Sequence, residues 1–91
     1  MAHSLSSKKR IRQNEKRRFR NRVRKSRLKR QRRHFREAVA SGDAEQAETE
    51  LRKVHKLADQ VAAKGTIHKN AAARIKSRLQ RRLNRLSAAK A

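Results

Sequence analysis

The sequence predicts an all-α protein: a three-helix bundle in up-down-up order, whose long first helix projects beyond the bundle. Proline, the residue that most disfavours a helix interior, is absent from the 91 residues. Glycine occurs only at Gly42 and Gly65, and each lies where a helix would stop. Between these points apolar residues recur at spacings of three and four, which is typical of helices with one buried face. A chain of this length forms one small domain.

The first segment predicts a helix from about Ser7 to Ala40 that packs only near its C-terminal end. Its apolar stripe is formed by Leu28, Phe35, Ala38 and Val39. A second group falls on a different side of the helix: Ile11, Phe19 and Val23. Residues 12–18 contain no apolar residue, and such a helix is roughly 50 Å long. We therefore expect residues 1–24 to form a basic arm that is flexible in the free protein, and residues 25–91 to form the bundle.

The second segment predicts a helix that begins at Asp43. The Asp43 carboxylate can accept from the free amides of the first turn, and Gln46 can reach back to complete a capping box. Glu45 and Glu48 place negative charge near the positive end of the helix dipole. The stripe expected to face the other helices is Ala44, Ala47, Leu51, Val54, Ala58 and Val61.

The third segment predicts a helix with one apolar face and one basic face. The apolar stripe is Ile67, Ala71, Ile75, Leu79, Leu83 and Leu86. A row of arginines lies well away from it on a helical projection: Arg74, Arg78, Arg81 and Arg85. The helix is therefore expected to bury one side and expose the other.

Charge is the main functional signal. The formal net charge is +22, and it is concentrated at both ends of the chain. Residues 1–40 carry 17 basic and 2 acidic side chains, residues 41–63 carry 3 and 5, and residues 64–91 carry 9 and none. Two basic regions around a nearly neutral centre favour a protein that packs on itself in the middle and binds a polyanion at both ends.

The composition also narrows the possible functions. Without cysteine there is no disulfide framework and no thiolate zinc site, and the four histidines have no metal-ligand spacing. We expect no metal, no other cofactor and no small-molecule substrate. No glycine-rich phosphate loop, nucleophile elbow or carboxylate pair is present, so we expect no enzyme. No stretch approaches the ~20 apolar residues of a membrane span, and we expect no membrane partner.

The run Lys8–Arg22 indicates nucleic-acid binding because it distributes basic side chains all around a helix with Glu15 as its single acid. A helix charged only for solubility would normally mix both signs. Polar side chains that can bond phosphate and ribose oxygens are interspersed in and after this run: Gln13, Asn14, Asn21 and Ser26.

A second anion-binding feature is predicted at the junction of helices 2 and 3. Gly65 ends helix 2, and His68, Lys69 and Asn70 fall at the first turn of helix 3. Free backbone amides and the helix dipole favour an anion there. A plain interhelical turn with incidental polarity is the alternative.

Two segments resemble the family of bacterial small-subunit ribosomal protein twenty. Ala63–Leu79 reads AKGTIHKNAAARIKSRL and resembles the signature of that family. Lys8–Asn21 reads KKRIRQNEKRRFRN and, with Lys25 and Ser26, resembles its first helix, and the turn Ser41–Asp43 also fits. The resemblance covers essentially the whole chain.

The resemblance implies a three-helix bundle that binds 16S ribosomal RNA in the small (30S) subunit and supports its assembly. It implies 16S rRNA and other small-subunit components as partners, a location on the ribosome in the cytoplasm, and no self-association. Carried onto this chain, the RNA-binding residues are Lys8, Lys9, Arg10, Arg12, Gln13, Lys16, Arg17, Arg18, Arg20, Asn21, Arg24, Lys25, Ser26, Arg27, Lys64, His68, Lys69, Asn70, Arg74, Lys76 and Arg78.

The chain departs from the family pattern at two places. Ala71 stands where relatives often have Lys, so a phosphate contact is lost there. Arg30–Arg32 replaces a less basic, more apolar stretch, which bears on how tightly the middle of helix 1 packs.

Two other functions are weighed against rRNA binding. A histone-like basic DNA-binding protein is the first, since basic helices also bind duplex DNA. The apolar stripe of helix 2 is, however, too short for a dimerisation zipper. A membrane-active amphipathic peptide is the second, but helix 1 lacks the wide apolar face that this function needs.

Overall fold

The computed structural model describes residues 5–90 and folds them into three helices. These are α1 (Leu5–Ala40), α2 (Ala44–Ala63) and α3 (Lys69–Lys90), as the sequence predicts. Helix α2 packs against both neighbours, whereas α1 and α3 contact each other least. The molecule is elongated, 68 × 21 × 14 Å, because α1 is much longer than its partners. The first four residues of the predicted arm lie outside the described residues.

Both turns between helices are closed by glycine in the left-handed region. Gly42 has φ +77° and Gly65 has φ +76°, conformations that side chains with a Cβ rarely adopt. At the first turn the amide of Gly42 donates to Val39 O (3.0 Å) and the amide of Asp43 to Ala38 O (3.2 Å). The same pairing recurs at Gly65, and it satisfies the last carbonyls of each helix.

Asp43 caps α2 as predicted, but the reciprocal half of the capping box is absent. The Asp43 Oδ1 accepts from the amide of Gln46 at 3.1 Å. The Asp43 amide already donates to Ala38 O, so it has no need of the Gln46 side chain. The Gln46 Nε2 donates instead to Glu50 Oε1 at 2.8 Å. The predicted capping box is therefore wrong in one respect, since the Gln46 side chain does not reach back to the Asp43 amide.

The core follows the three predicted stripes. Among the described residues, the buried apolar side chains are Leu28, Phe35, Ala38, Ala47, Leu51, Val54, Ala58, Val61, Ala72, Leu79 and Leu83. Phe35 and Val54 are the largest that are fully buried. Other predicted members lie at the edge and are only half-buried: Val39, Ala44, Ile67, Ala71, Ile75 and Leu86. Ala72 is buried within the core although it falls outside the predicted stripe.

A buried carboxylate joins α1 to α2. Glu50 is only 7% exposed, and its carboxylate accepts from Gln31 Nε2, from Gln46 Nε2 and from Lys53 Nζ at 3.5 Å. Gln31 Nε2 also donates to the Glu50 carbonyl at 3.1 Å. Burial acts to raise the pKa of Glu50, but these hydrogen bonds and the Lys53 charge outweigh it and lower the pKa. Gln31 thus gives α1 a polar link to α2.

We expect Glu50→Gln to lower the free energy of unfolding by about 1–3 kcal/mol at pH 7. Because the pKa of Glu50 lies below its ordinary 4.5 in the folded protein, the unfolded chain takes up the proton first as pH falls. The stabilisation is complete above that ordinary value and is lost as pH falls through the folded-state pKa. The deficit of the variant relative to the wild type should therefore shrink in acid, which urea denaturation at pH 7 and pH 3 can measure.

Glu48→Gln is the matched control for this experiment. Glu48 pairs with Arg52 at 2.8 Å on the exposed side of the same helix. Such a pair contributes about 0.3–0.5 kcal/mol, so its loss should have little effect at either pH. An equal deficit of the Glu50 variant at pH 7 and pH 3 would contradict the assignment of its stabilising effect to the ionised carboxylate.

Candidate nucleic-acid interface

The N-terminal half of α1 is a cationic rod. Every residue from Lys8 to Arg20 is exposed. Successive residues of a helix point 100° apart, so the charges surround the axis rather than forming one face. This half holds the predicted RNA-binding residues Lys8, Lys9, Arg10, Arg12, Gln13, Lys16, Arg17, Arg18 and Arg20. The predicted second apolar group remains on its surface, with Ile11 58% and Phe19 62% exposed.

The base of this rod and the α2–α3 turn enclose a basic cleft, which we call the arm–turn cleft. It has a volume of about 450 Å³. Its lining is Arg17, Arg20, Asn21, Arg24, Lys64 and Gly65. Four of these are cationic and none is acidic, so the cleft suits an anion. The fold thus brings Lys64 beside four other predicted RNA-binding residues that are close together in sequence on α1.

Hydrogen bonds between α1 and the turn fix the geometry of the arm–turn cleft. The Thr66 hydroxyl donates to Asn21 Oδ1 at 3.0 Å. Arg24 Nη1 donates to the same Asn21 oxygen at 3.3 Å and to Thr66 Oγ1 at 3.4 Å. Asn21 and Arg24 are half-buried as a result. The sequence did not single out Thr66 for this role, since its partners lie more than 40 residues away and only the fold brings them near.

The start of α3 differs from the expectation of a fully open anion site. His68 lies just before the helix, and its carbonyl accepts from the amides of Ala71 (2.9 Å) and Ala72 (3.1 Å). Its ring Nδ1 accepts from the Asn70 amide at 3.1 Å. One of the amides expected to bind an anion is therefore already satisfied, and His68 serves as a helix cap. The side chains of Lys69 and Asn70 remain exposed.

The other predicted RNA-binding residues lie on the surface with one exception. Lys25, Ser26, Arg27, Lys64, Arg74 and Arg78 are exposed. Lys76 is only half-buried and its Nζ pairs with Asp59 Oδ1 at 2.8 Å, which links α3 to α2. The arginine row of α3 is exposed along its whole length, as predicted.

Residues 5–90 contain neither a helix that could span a membrane nor a cluster of metal-binding side chains. None of the three helices combines the length and apolar character required to cross a bilayer. In the same part of the chain no three His, Asp or Glu side chains come together in a way that could hold a metal ion.

Comparison with known sequences identifies the family. The model of the family described as "Ribosomal protein S20" matches residues 2–84. The chain belongs to the ribosomal protein S20 family. The small ribosomal subunit protein bS20 of Shouchella clausii is 48% identical over 88 residues, which is 97% of this chain and all of the relative. That of Persephonella marina is 53% identical over 84 residues, or 92% and 91% of the two chains.

A third relative, the bS20 protein of Thermobifida fusca, is 47% identical over the full length of this chain and 99% of its own. The family relation confirms the resemblance drawn from Lys8–Asn21 and Ala63–Leu79. It makes the chain a structural protein of the small ribosomal subunit, located on the cytoplasmic ribosome, and not an enzyme.

The capping role of His68 yields a testable expectation. His68→Ala should lower the free energy of unfolding by about 1 kcal/mol, because the Asn70 amide loses its acceptor. His68→Asn should retain the stability, since asparagine is among the best capping residues. Thermal denaturation followed by circular dichroism measures both. Equal stability of the alanine variant and the wild type would contradict the capping assignment.

Proposed function

We propose that this protein binds 16S rRNA directly and supports assembly of the small subunit. The observation that carries the proposal is the arm–turn cleft, in which Arg17, Arg20, Arg24 and Lys64 converge without an acidic residue. The exposed cationic rod continues from it, so basic side chains extend from the bundle along α1 to Lys8, with Glu15 as the one acid among them.

The mechanism we propose has an attractive and a positioning component. The net charge of +22 draws the protein to RNA, and each phosphate contact releases counterions. Guanidinium groups in the cleft then bond phosphate oxygens in a fixed geometry because Asn21 and Thr66 hold Arg24 in place. Contacts at both the rod and the bundle would keep separate RNA segments in a fixed relation, which is the contribution to assembly.

The RNA-binding surface we propose consists of the residues predicted from the sequence. Two of them, however, act mainly within the protein and not on RNA. His68 acts mainly by capping α3, and Lys76 acts mainly by pairing with Asp59. Lys69, Asn70, Arg74 and Arg78 contribute from the bundle side. The apolar stripe of α2 is buried within the chain, which supports a monomer that associates with rRNA and other small-subunit components rather than with itself.

We expect the affinity for 16S rRNA to fall steeply with salt. Six to ten phosphate contacts would reduce it by about three to five decades between 50 and 200 mM salt. Filter binding at several salt concentrations gives the slope. A binding constant that hardly changes over this range would refute the electrostatic mechanism.

A competition experiment with rRNA and duplex DNA of equal length distinguishes rRNA binding from the histone-like alternative. Labelled 16S rRNA bound to the protein is challenged with unlabelled rRNA or with duplex DNA. Preferential displacement by rRNA supports the proposal, whereas equal displacement favours a general polyanion binder such as a DNA-compacting protein.

We also propose that the described part of the predicted arm, residues 5–24, is flexible in the free protein and becomes stably helical on RNA. The exposure of every residue from Lys8 to Arg20 supports this, because nothing in the bundle offsets the repulsion between their charges. The helical signal in circular dichroism should rise as rRNA is added. Full protection of the amides of this segment against hydrogen exchange in the free protein would contradict the proposal.

A further inference from the structure

A pocket that combines apolar and cationic side chains lies between α1 and α2, next to the arm–turn cleft. Its volume is about 330 Å³. The two helices line it unequally, because α1 contributes only two arginines. The full lining is Arg24, Arg27, Leu57, Gln60, Val61, Ala63 and Lys64. Three of these side chains are cationic, three are apolar and none is acidic. We call this the α1–α2 pocket.

The α1–α2 pocket and the arm–turn cleft share a boundary. Arg24 and Lys64 line both of them. Hydrogen bonds fix Arg24 at this boundary, since its Nη1 donates to Asn21 Oδ1 at 3.3 Å and to Thr66 Oγ1 at 3.4 Å. The lining is basic and polar in the cleft, whereas in the pocket it includes apolar side chains of α2. Two compartments of different chemistry are thus joined by the same two cations.

The apolar side chains of the pocket have no apolar counterpart on α1. Leu57 packs against the edge of the core but remains half-buried, and Ala63 at the end of α2 is exposed. From α1 only Arg24 and Arg27 reach the lining. The pocket therefore offers apolar surface beside cations, which suits a ligand that is apolar on its faces and attached to an anion.

A nucleotide has this combination of properties. Its phosphate is anionic, whereas its base is a flat ring that stacks on apolar side chains and on guanidinium planes. Gln60 is exposed at the pocket, and its side-chain amide can both donate to and accept from the edge of a base. A base within a duplex is already stacked and paired, so the base that enters must be unpaired.

We propose that the α1–α2 pocket takes up one unpaired nucleobase of RNA, while the phosphate of the same nucleotide lies in the arm–turn cleft. Arg24 and Lys64 contact the nucleotide at the boundary between its two parts. Leu57 and Ala63 contact the face of the base, and Gln60 bonds its edge. The proposal rests on RNA binding as proposed above. It adds recognition of a base, which specifies a position in the RNA, whereas phosphate contacts alone do not.

The experiment fills the pocket without changing any charge. Ala63→Leu adds apolar bulk to the wall of the pocket, and Ala40→Leu is the matched control. Both alanines are exposed, each is the last residue of its helix, and each is followed two residues later by a left-handed glycine. Ala40 lines neither the pocket nor the arm–turn cleft. Leucine is a good helix former, so both variants should fold like the wild type, which circular dichroism checks.

Affinity for 16S rRNA is measured for the three proteins at several salt concentrations. We expect Ala63→Leu to weaken binding by about tenfold, the order expected for one lost stacked base, and Ala40→Leu to leave it unchanged. The salt dependence should be the same for all three proteins, because no phosphate contact is lost. Equal affinity of the two variants overturns the proposal. A shallower salt dependence of Ala63→Leu also overturns it, because loss of phosphate contacts would then explain the weaker binding.

A second measurement uses the wild-type protein and small ligands, so it depends neither on the variants nor on rRNA. The nuclear magnetic resonance signals of the Gln60 and Ala63 side chains are followed as each of the four ribonucleoside monophosphates, or ribose phosphate, is added. We expect the nucleotides to shift both signals and ribose phosphate to shift neither. Equal responses to both kinds of ligand, or no response to any nucleotide, overturn the proposal.

The two measurements together separate failure of the pocket from failure of RNA binding. If the wild type binds 16S rRNA but nucleotides leave the Gln60 and Ala63 signals unchanged, the proposed function stands and the pocket proposal is overturned. If nucleotides shift the signals but the wild type does not bind rRNA, the proposed function falls, and RNA is excluded as the source of the base. Shifts with N-acetylleucinamide and none with nucleotides would assign the pocket to a protein partner and overturn the proposal likewise.

Discussion

Mutual repulsion among 29 basic side chains, opposed by only seven acidic ones, limits how this chain can fold. The charges cannot be distributed evenly around a small core without loss of stability. The chain accommodates them by concentrating them in α1 and α3 and by giving α2 most of its acidic residues. Helix α2, with its apolar face buried, therefore lies between two strongly basic helices that hardly contact each other.

The hydrogen-bonded carboxylate of Glu50 and the ion pair between Asp59 and Lys76 illustrate this arrangement. Each uses an acid of α2 to attach a neighbouring helix. Glu50 accepts from Gln31 of α1, and Asp59 accepts from Lys76 of α3. The apolar core and these polar links both involve α2. The helix with the least positive charge therefore holds the other two together.

The same distribution of charge explains where the functional surfaces arise. Where α1 passes the α2–α3 turn, basic residues of both form the arm–turn cleft. Where α1 passes α3, the basic residues Lys25, Lys29, Arg32 and Arg36 of α1 line a second groove, opposite Ile67 and Ile75. Neither place has an acid of α2 to neutralise it. The chain belongs to the ribosomal protein S20 family, and the rRNA binding proposed above would give the arm–turn cleft its polyanionic partner.

The sequence by itself determined the three helices, their ends and most of the core. Glycine in a left-handed turn, a cap at Asp43 and apolar spacings of three and four are local signals, because a helix is defined by residues within a few positions of each other. These signals also separated the buried Phe35 from the exposed Phe19 on one helix. The segments that resemble the family also include the basic stretches for which RNA binding is proposed.

Only the tertiary structure decided how individual polar side chains are used. The partner of Thr66 is Asn21, and that of Gln31 is Glu50. These pairings depend on the relative positions of whole helices, and periodicity within one segment carries no information about them. Even the local cap at His68 escaped the sequence, since a ring nitrogen accepts from a backbone amide only in one orientation of the turn.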